Sequence, residues 1–151
     1  MSSPAYRVTI TRVINSTANE LYDACTDPTI VPRWLNARIL EADVRVKGAY
    51  RVEVVEADGR VRTFAGRYLA LDVGHRIALT FADVAAPPGL YSDEQLEIHL
   101  APQGSLTKLT LTHSWNGAEL SPEERNAREA RWTASLERLS LAVELPSTLD
   151  S

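Results

Sequence analysis

The chain has 151 residues, 44% of them hydrophobic and 24% charged, with 16 basic against 20 acidic side chains and a formal net charge of −4. That length suits one domain burying about two thirds of its unfolded surface, so neither disulfides nor a metal is required to hold it. An acidic balance without a Lys/Arg-rich run argues against nucleic acid as a partner, and no stretch approaches the roughly 18 apolar residues of a membrane helix.

Residues 6–14 alternate apolar with polar and predict a first strand with Tyr6, Val8 and Ile10 on one face. Thr17 followed by Glu20 has the capping-box spacing, which predicts a short helix over about 17–26 ending at Asp27-Pro28. A second short helix is expected over about 28–35, carrying Trp34 and Leu35 inward. From Arg38 to Trp115 the period becomes two. Turn signals at Lys47-Gly48, Asp58-Gly59, Val73-Gly74 and Gln103-Gly104 divide that run into strands at about 38–46, 49–57, 61–72, 76–83, 94–101 and 106–115.

The alternation sets Tyr50, Val52, Val54, then Phe64, Gly66, Tyr68, then Ile77, Leu79, Phe81, then Leu96, Ile98, Leu100 on an inner face, with polar residues outside. Ser121-Pro122-Glu123-Glu124 starts a long helix running to about Val143, with Pro146 marking its end and a frayed tail after it. Its stripe of Trp132, Leu136, Leu139 and Val143 faces the sheet, while Glu129, Arg138 and Glu144 face water. The expected architecture is α+β: a seven-stranded antiparallel curved sheet around a long C-terminal helix, with two short helices between strands 1 and 2. It forms a single domain over 1–151, with an ordered core of about 5–145.

Several phrases carry a family resemblance in the same order as the chain. They are Ala24-Cys25-Thr26-Asp27-Pro28 with Arg33-Trp34-Leu35, Val46-Lys47-Gly48-Ala49-Tyr50-Arg51-Val52, Gly66-Arg67-Tyr68-Leu69, Arg76-Ile77-Ala78-Leu79-Thr80-Phe81, Thr107 to His113, and Arg131-Trp132 with Leu136-Glu137-Arg138-Leu139. The chain resembles the START-like, birch-pollen-allergen-like superfamily, and within it the family of activator-homologue domains of heat-shock protein 90 ATPase. The resemblance implies a helix-grip fold with a cavity between sheet and helix. It does not fix the use of that cavity, because related folds bind lipids, carry out cyclisations, sequester toxins or act on chaperones. Cys25 stands where the family often has tryptophan, and Arg128-Glu129-Ala130-Arg131-Trp132 stands where it often has His-x-x-Gly-Trp.

His113 shares strand parity with Leu109, Leu111 and Trp115, which turns its imidazole inward. There it can orient a ligand, act as general base, or be an ordinary core histidine satisfied by a carbonyl or a tyrosine hydroxyl. Trp34, Tyr50, Phe64, Tyr68, Phe81, Trp115 and Trp132 are expected to line the interior, either of a cavity or of a filled core. Arg128 and Arg131 suit an ion-paired, solvated helix face or a cavity mouth that holds an anionic head group. The segment 85–91 reads as a lid or as an irregular connection.

His75, His99 and His113 fall on different faces, so no metal site is expected, and no phosphate-cradling loop points to a nucleotide cofactor. The lone Cys25 reads as an inert thiol in a reducing, cytoplasmic compartment. The expected function is binding of a small, largely hydrophobic molecule without a cofactor, its polar end fixed by His113 and Tyr68. Modulation of the heat-shock protein 90 ATPase, or a cyclase- or hydrolase-like reaction using His113, are the alternatives. A homodimer through a sheet edge or helix face is a further possibility.

Overall fold

The computed structural model describes residues 5–56, 58–87 and 89–149, with side chains through residue 144. Its elements are β1 (Tyr6–Ile14), α1 (Ala18–Thr26), α2 (Val31–Leu35), β2 (Ala37–Ala42), β3 (Ala49–Val55), β4 (Val61–Asp72), β5 (Arg76–Thr80), β6 (Ala82–Asp83), β7 (Tyr91–Gln103), β8 (Leu106–Gly117) and α3 (Pro122–Leu149). The sheet runs β1-β8-β7-β5-β4-β3-β2, antiparallel at every pair, with the two-residue β6 held against β4. Because β1 pairs with the last strand, α1 and α2 carry the chain from one edge of the sheet to the other.

The expected seven strands form the main path. The run expected at 76–83 divides at Phe81, whose N–H bonds to the Glu94 carbonyl on β7. Gly66 sits at that break, where a Cβ would come within 2.1 Å of the Thr80 carbonyl oxygen. Arg67 N–H donates to Thr80 Oγ1, and the Tyr50 hydroxyl donates to the same Thr80 carbonyl. This close crossing separates β5 from β6 and points Phe81 inward.

Thr17 caps α1 by accepting from Glu20 N–H, and its hydroxyl donates to the Glu20 carboxylate. The reciprocal capping box forms instead at α3, where Ser121 Oγ accepts from Glu124 N–H and the Glu124 carboxylate accepts from Ser121 N–H. The helix continues past Pro146 to Leu149, beyond its expected end; a proline inside a helix forfeits one backbone bond without necessarily stopping it. Of the tail, Asp150 and Ser151 lie outside the described residues. Trp132, Leu136 and Leu139 are buried against Leu96, Ile98, Leu109 and Leu111 as the stripe required.

Arg138 does not face water as expected. Its guanidinium turns in to donate to the Trp34 carbonyl and to Ser135 Oγ, which docks α2 on α3. Glu144 is also half-buried, accepting from Asn15 N–H and the Ser140 hydroxyl. Long polar side chains on a helix can cover neighbouring backbone while their heads find partners, and periodicity is blind to that.

Candidate functional site

Between the N-terminal half of α3 and the sheet lies a cleft of about 880 Å³. Its origin is a change of residue size along the helix. Ala127, Ala130 and Ala134, at i, i+3 and i+7, line the opening, whereas Leu136 and Leu139 further on fill the space under the helix completely. Phe64, Phe81 and Trp132 form the apolar wall, with Phe64 and Phe81 stacked at 4.4 Å and Phe81 tilted on Trp132 at 5.8 Å. Asp83, Ala85, Ala86, Pro87, Leu90 and Tyr91 form one rim, held where Val84 N–H bonds to the Thr63 carbonyl and where the Leu90 carbonyl accepts from Ala118 N–H.

Across the mouth, Arg131 of α3 pairs with Glu56 at 2.8 Å. Glu56 also meets Arg62, which reaches Asp83 in turn. The rim is therefore charged, but its charges are largely matched.

The inner end is different. His113 is 1% exposed, enclosed edge-on by Phe81, Trp115 and Trp132. Trp132 Nε1–H can only donate, so at 3.2 Å it makes His113 Nδ1 an acceptor and leaves the ring proton on Nε2. Nε2–H then donates to Glu94 Oε2 at 2.6 Å. Burial holds the imidazole pKa below its ordinary value; Glu94 pulls it back up, and the nearby Arg128 and Arg131 cations push it down again. The result is a neutral ring with both nitrogens engaged, which offers none to a molecule in the cleft.

Glu94 had no place among the expected site residues. It reaches the site because a bulge sets Asp93 and Glu94 opposite a single residue of β8, with Asp93 at φ 50°. A signal was present, since Glu94 shares the parity of Leu96, Ile98 and Leu100.

Of the residues singled out from the sequence, the cleft brings together Phe64, Phe81, His113, Arg128, Arg131 and Trp132. Trp34, Tyr50, Tyr68 and Trp115 pack elsewhere. Trp34 Nε1–H is tied to the Ala24 carbonyl, and Tyr50 and Tyr68 pack on each other at 5.6 Å. Trp115 is fully buried with Val8 and Leu120, its Nε1–H on the Ala118 carbonyl. Arg128 lays its guanidinium 5.0 Å above the Trp115 ring and 5.7 Å from that of Tyr91. Burial, and next the Arg131 cation, lower its pKa. Cys25 borders the core, where burial pushes its thiol up to about 12. Among the described residues no three His, Cys, Asp or Glu side chains converge as metal ligands, and no helix is long and apolar enough to cross a membrane.

A curved antiparallel sheet gripping a long C-terminal helix, with a cleft opening between them, defines a helix-grip domain of the START-like class. The chain belongs to the family described as activator of Hsp90 ATPase homolog 1-like proteins, whose model matches residues 15–144. Among solved structures it is similar to protein CV1439 from Chromobacterium violaceum, with 33% identity, a TM-score of 0.79, and coverage of 91% of this chain and 96% of that one. The Aha1 dimer from Colwellia psychrerythraea shares the fold at 18% identity and TM-score 0.73, covering 92% and 96%. CalU16 from Micromonospora echinospora does so at 21% identity and TM-score 0.66, covering 95% and 79%. No curated protein matches the chain.

Proposed function

We propose that this domain binds a small, largely apolar molecule in the cleft between the sheet and the first half of α3. The observation that carries the reading is the combination of an aromatic wall, Phe64, Phe81 and Trp132, with one polar cluster at its inner end, Glu94, His113 and Arg128. Ligand sites of roughly 300–1,000 Å³ are built in this way, apolar for affinity and with a few convergent polar groups for orientation. In this reading His113 positions Glu94 and offers the ligand no free nitrogen, and the domain acts as a binder without a cofactor. Native mass spectrometry of freshly purified protein, followed by denaturing extraction, tests it. An adduct released on unfolding is expected; a clean apo chain that also fails to bind apolar probes at the cleft would end the proposal.

The family described above supports a second reading, in which the domain modulates the heat-shock protein 90 ATPase. An unchanged ATPase turnover at saturating domain would dismiss it. That a relative was solved as a dimer supports a second copy of this chain as a partner. A mass of one chain by light scattering would remove that partner. The setting we assign is cytoplasmic, and cell fractionation checks it.

A further inference from the structure

The inner end of the cleft holds two polar groups that the protein itself leaves half used. Glu94 gives Oε2 to His113 Nε2–H, and its side chain keeps 11% exposure on the cleft wall, with no protein donor on Oε1 among the described residues. Arg128, one helical turn before Trp132, is held over the faces of Trp115 and Tyr91 with a side-chain hydrogen bond to Tyr91, while its buried Nη1 has no hydrogen-bond partner among the described residues. Both groups line the same cleft. A buried donor left unpaired carries a desolvation cost that a correctly placed ligand atom recovers.

The geometry points to a ligand whose polar end is an uncharged group that donates and accepts at once, an alcohol, phenol or carboxamide, giving its proton to Glu94 Oε1 and taking one hydrogen bond from Arg128 Nη1. This rests on the reading of the cleft as a ligand site. Glu94 is the discriminating element. Its Oε2 already accepts from His113, so an anionic head group set against Arg128 would bring a second carboxylate beside Glu94 with no proton to offer to Oε1. An ammonium would satisfy Glu94 but would face Arg128 as a like charge. A neutral donor-acceptor group satisfies both side chains without adding charge to a buried place.

The test is a matched probe series with one apolar body: 2-naphthol, 2-naphthamide, 2-naphthoate and 2-methylnaphthalene. Each is titrated into the full chain at neutral pH, with the Trp132 indole N–H followed by NMR. Naphthol and naphthamide are expected to bind at least about tenfold tighter than both naphthoate and methylnaphthalene, the difference one good hydrogen-bond pair makes.

Glu94→Gln keeps a carbonyl for His113 and turns a donor into the cleft, so naphthoate should then overtake naphthol. Arg128→Met, which keeps an apolar stem over Trp115, should bring naphthamide to within roughly threefold of methylnaphthalene. Naphthoate binding as tightly as naphthol in the natural chain, or a preference unmoved by both substitutions, overturns the inference while leaving the cleft a binding site. Failure of every probe to shift the cleft resonances overturns the binding reading and the inference with it.

Discussion

His113 on β8 donates from Nε2 to Glu94 Oε2 on β7 across 2.6 Å, and it does so as a neutral ring because Trp132 occupies its other nitrogen. Burial is the largest influence on this imidazole and lowers its pKa. Above the unfolded value of about 6.5, both folded and unfolded chains carry it uncharged. As pH falls below that value the unfolded chain takes up a proton that the native ring resists, so stability is full above about pH 6.5 and declines as pH drops toward the native pKa. Melts taken stepwise from about pH 7.5 to 5 should show that decline, and His113→Gln should lose this part of it while being less stable throughout. Imidazole nitrogen shifts should report the Nε2–H tautomer down to about pH 6; a ring that titrates there like a free histidine would contradict the assignment.

Trp132→Phe keeps an aromatic ring on Phe81 but removes the only donor to His113 Nδ1 among the described residues. The buried acceptor is then unpaired, and denaturant unfolding should show a loss of about 1–3 kcal/mol, from the missing bond and the smaller ring together. The same variant should admit the Nδ1–H tautomer, visible in the nitrogen shifts. A stability loss with the tautomer unchanged would mean that Trp132 acts only by packing.

The register of the sheet was written in the chain: Tyr50, Val52, Phe64, Ile77, Leu96, Ile98 and Leu111 are all buried where alternation put them. The site was written less plainly, for physical reasons. Period two says which side chains point inward but not whether they meet, so Trp34 and Trp115 looked equivalent to Phe81 although their indoles are tied into separate packing. What opens the cleft is small residues, Ala127, Ala130 and Ala134, and small residues give no apolar signal that stands out against an exposed helix face. Glu94 had the inner parity, but a carboxylate next to a turn is ordinarily solvated. Only the bulge opposite Trp115 and the pairing with a buried histidine make it otherwise.

Gly66→Ala should strike the fold and the cleft wall together. The added methyl would lie 2.1 Å from a backbone oxygen of Thr80, and backbone at a strand crossing cannot yield as a flexible side chain would. Overpacking of this kind costs about 1–3 kcal/mol or more, which urea unfolding will read. Because Thr80 leads directly into Phe81, the Phe81 ring resonances should move more than those of Leu109 on β8. A variant as stable as the natural chain would show that the crossing is not as close as described.

The pair Glu56 and Arg131 ties the β3-β4 turn to α3 across the cleft mouth, with side-chain exposures of 16% and 25%. Those values place it between a surface pair, worth about 0–1 kcal/mol, and a buried one. A double-mutant cycle with Glu56→Gln and Arg131→Met should therefore give a coupling of about 1 kcal/mol, weaker at high salt than at low. Glu56→Gln should cost more than Arg131→Met, because Glu56 also faces Arg62, whose remaining partner Asp83 is 3.6 Å away. Loss of the tie frees the turn from the helix, so amide exchange should quicken at residues 58–62 and in the first half of α3, leaving Leu136 and Leu139 protected. Coupling indistinguishable from zero, with exchange unchanged at the mouth, would show that the ion pair does not hold the cleft's width.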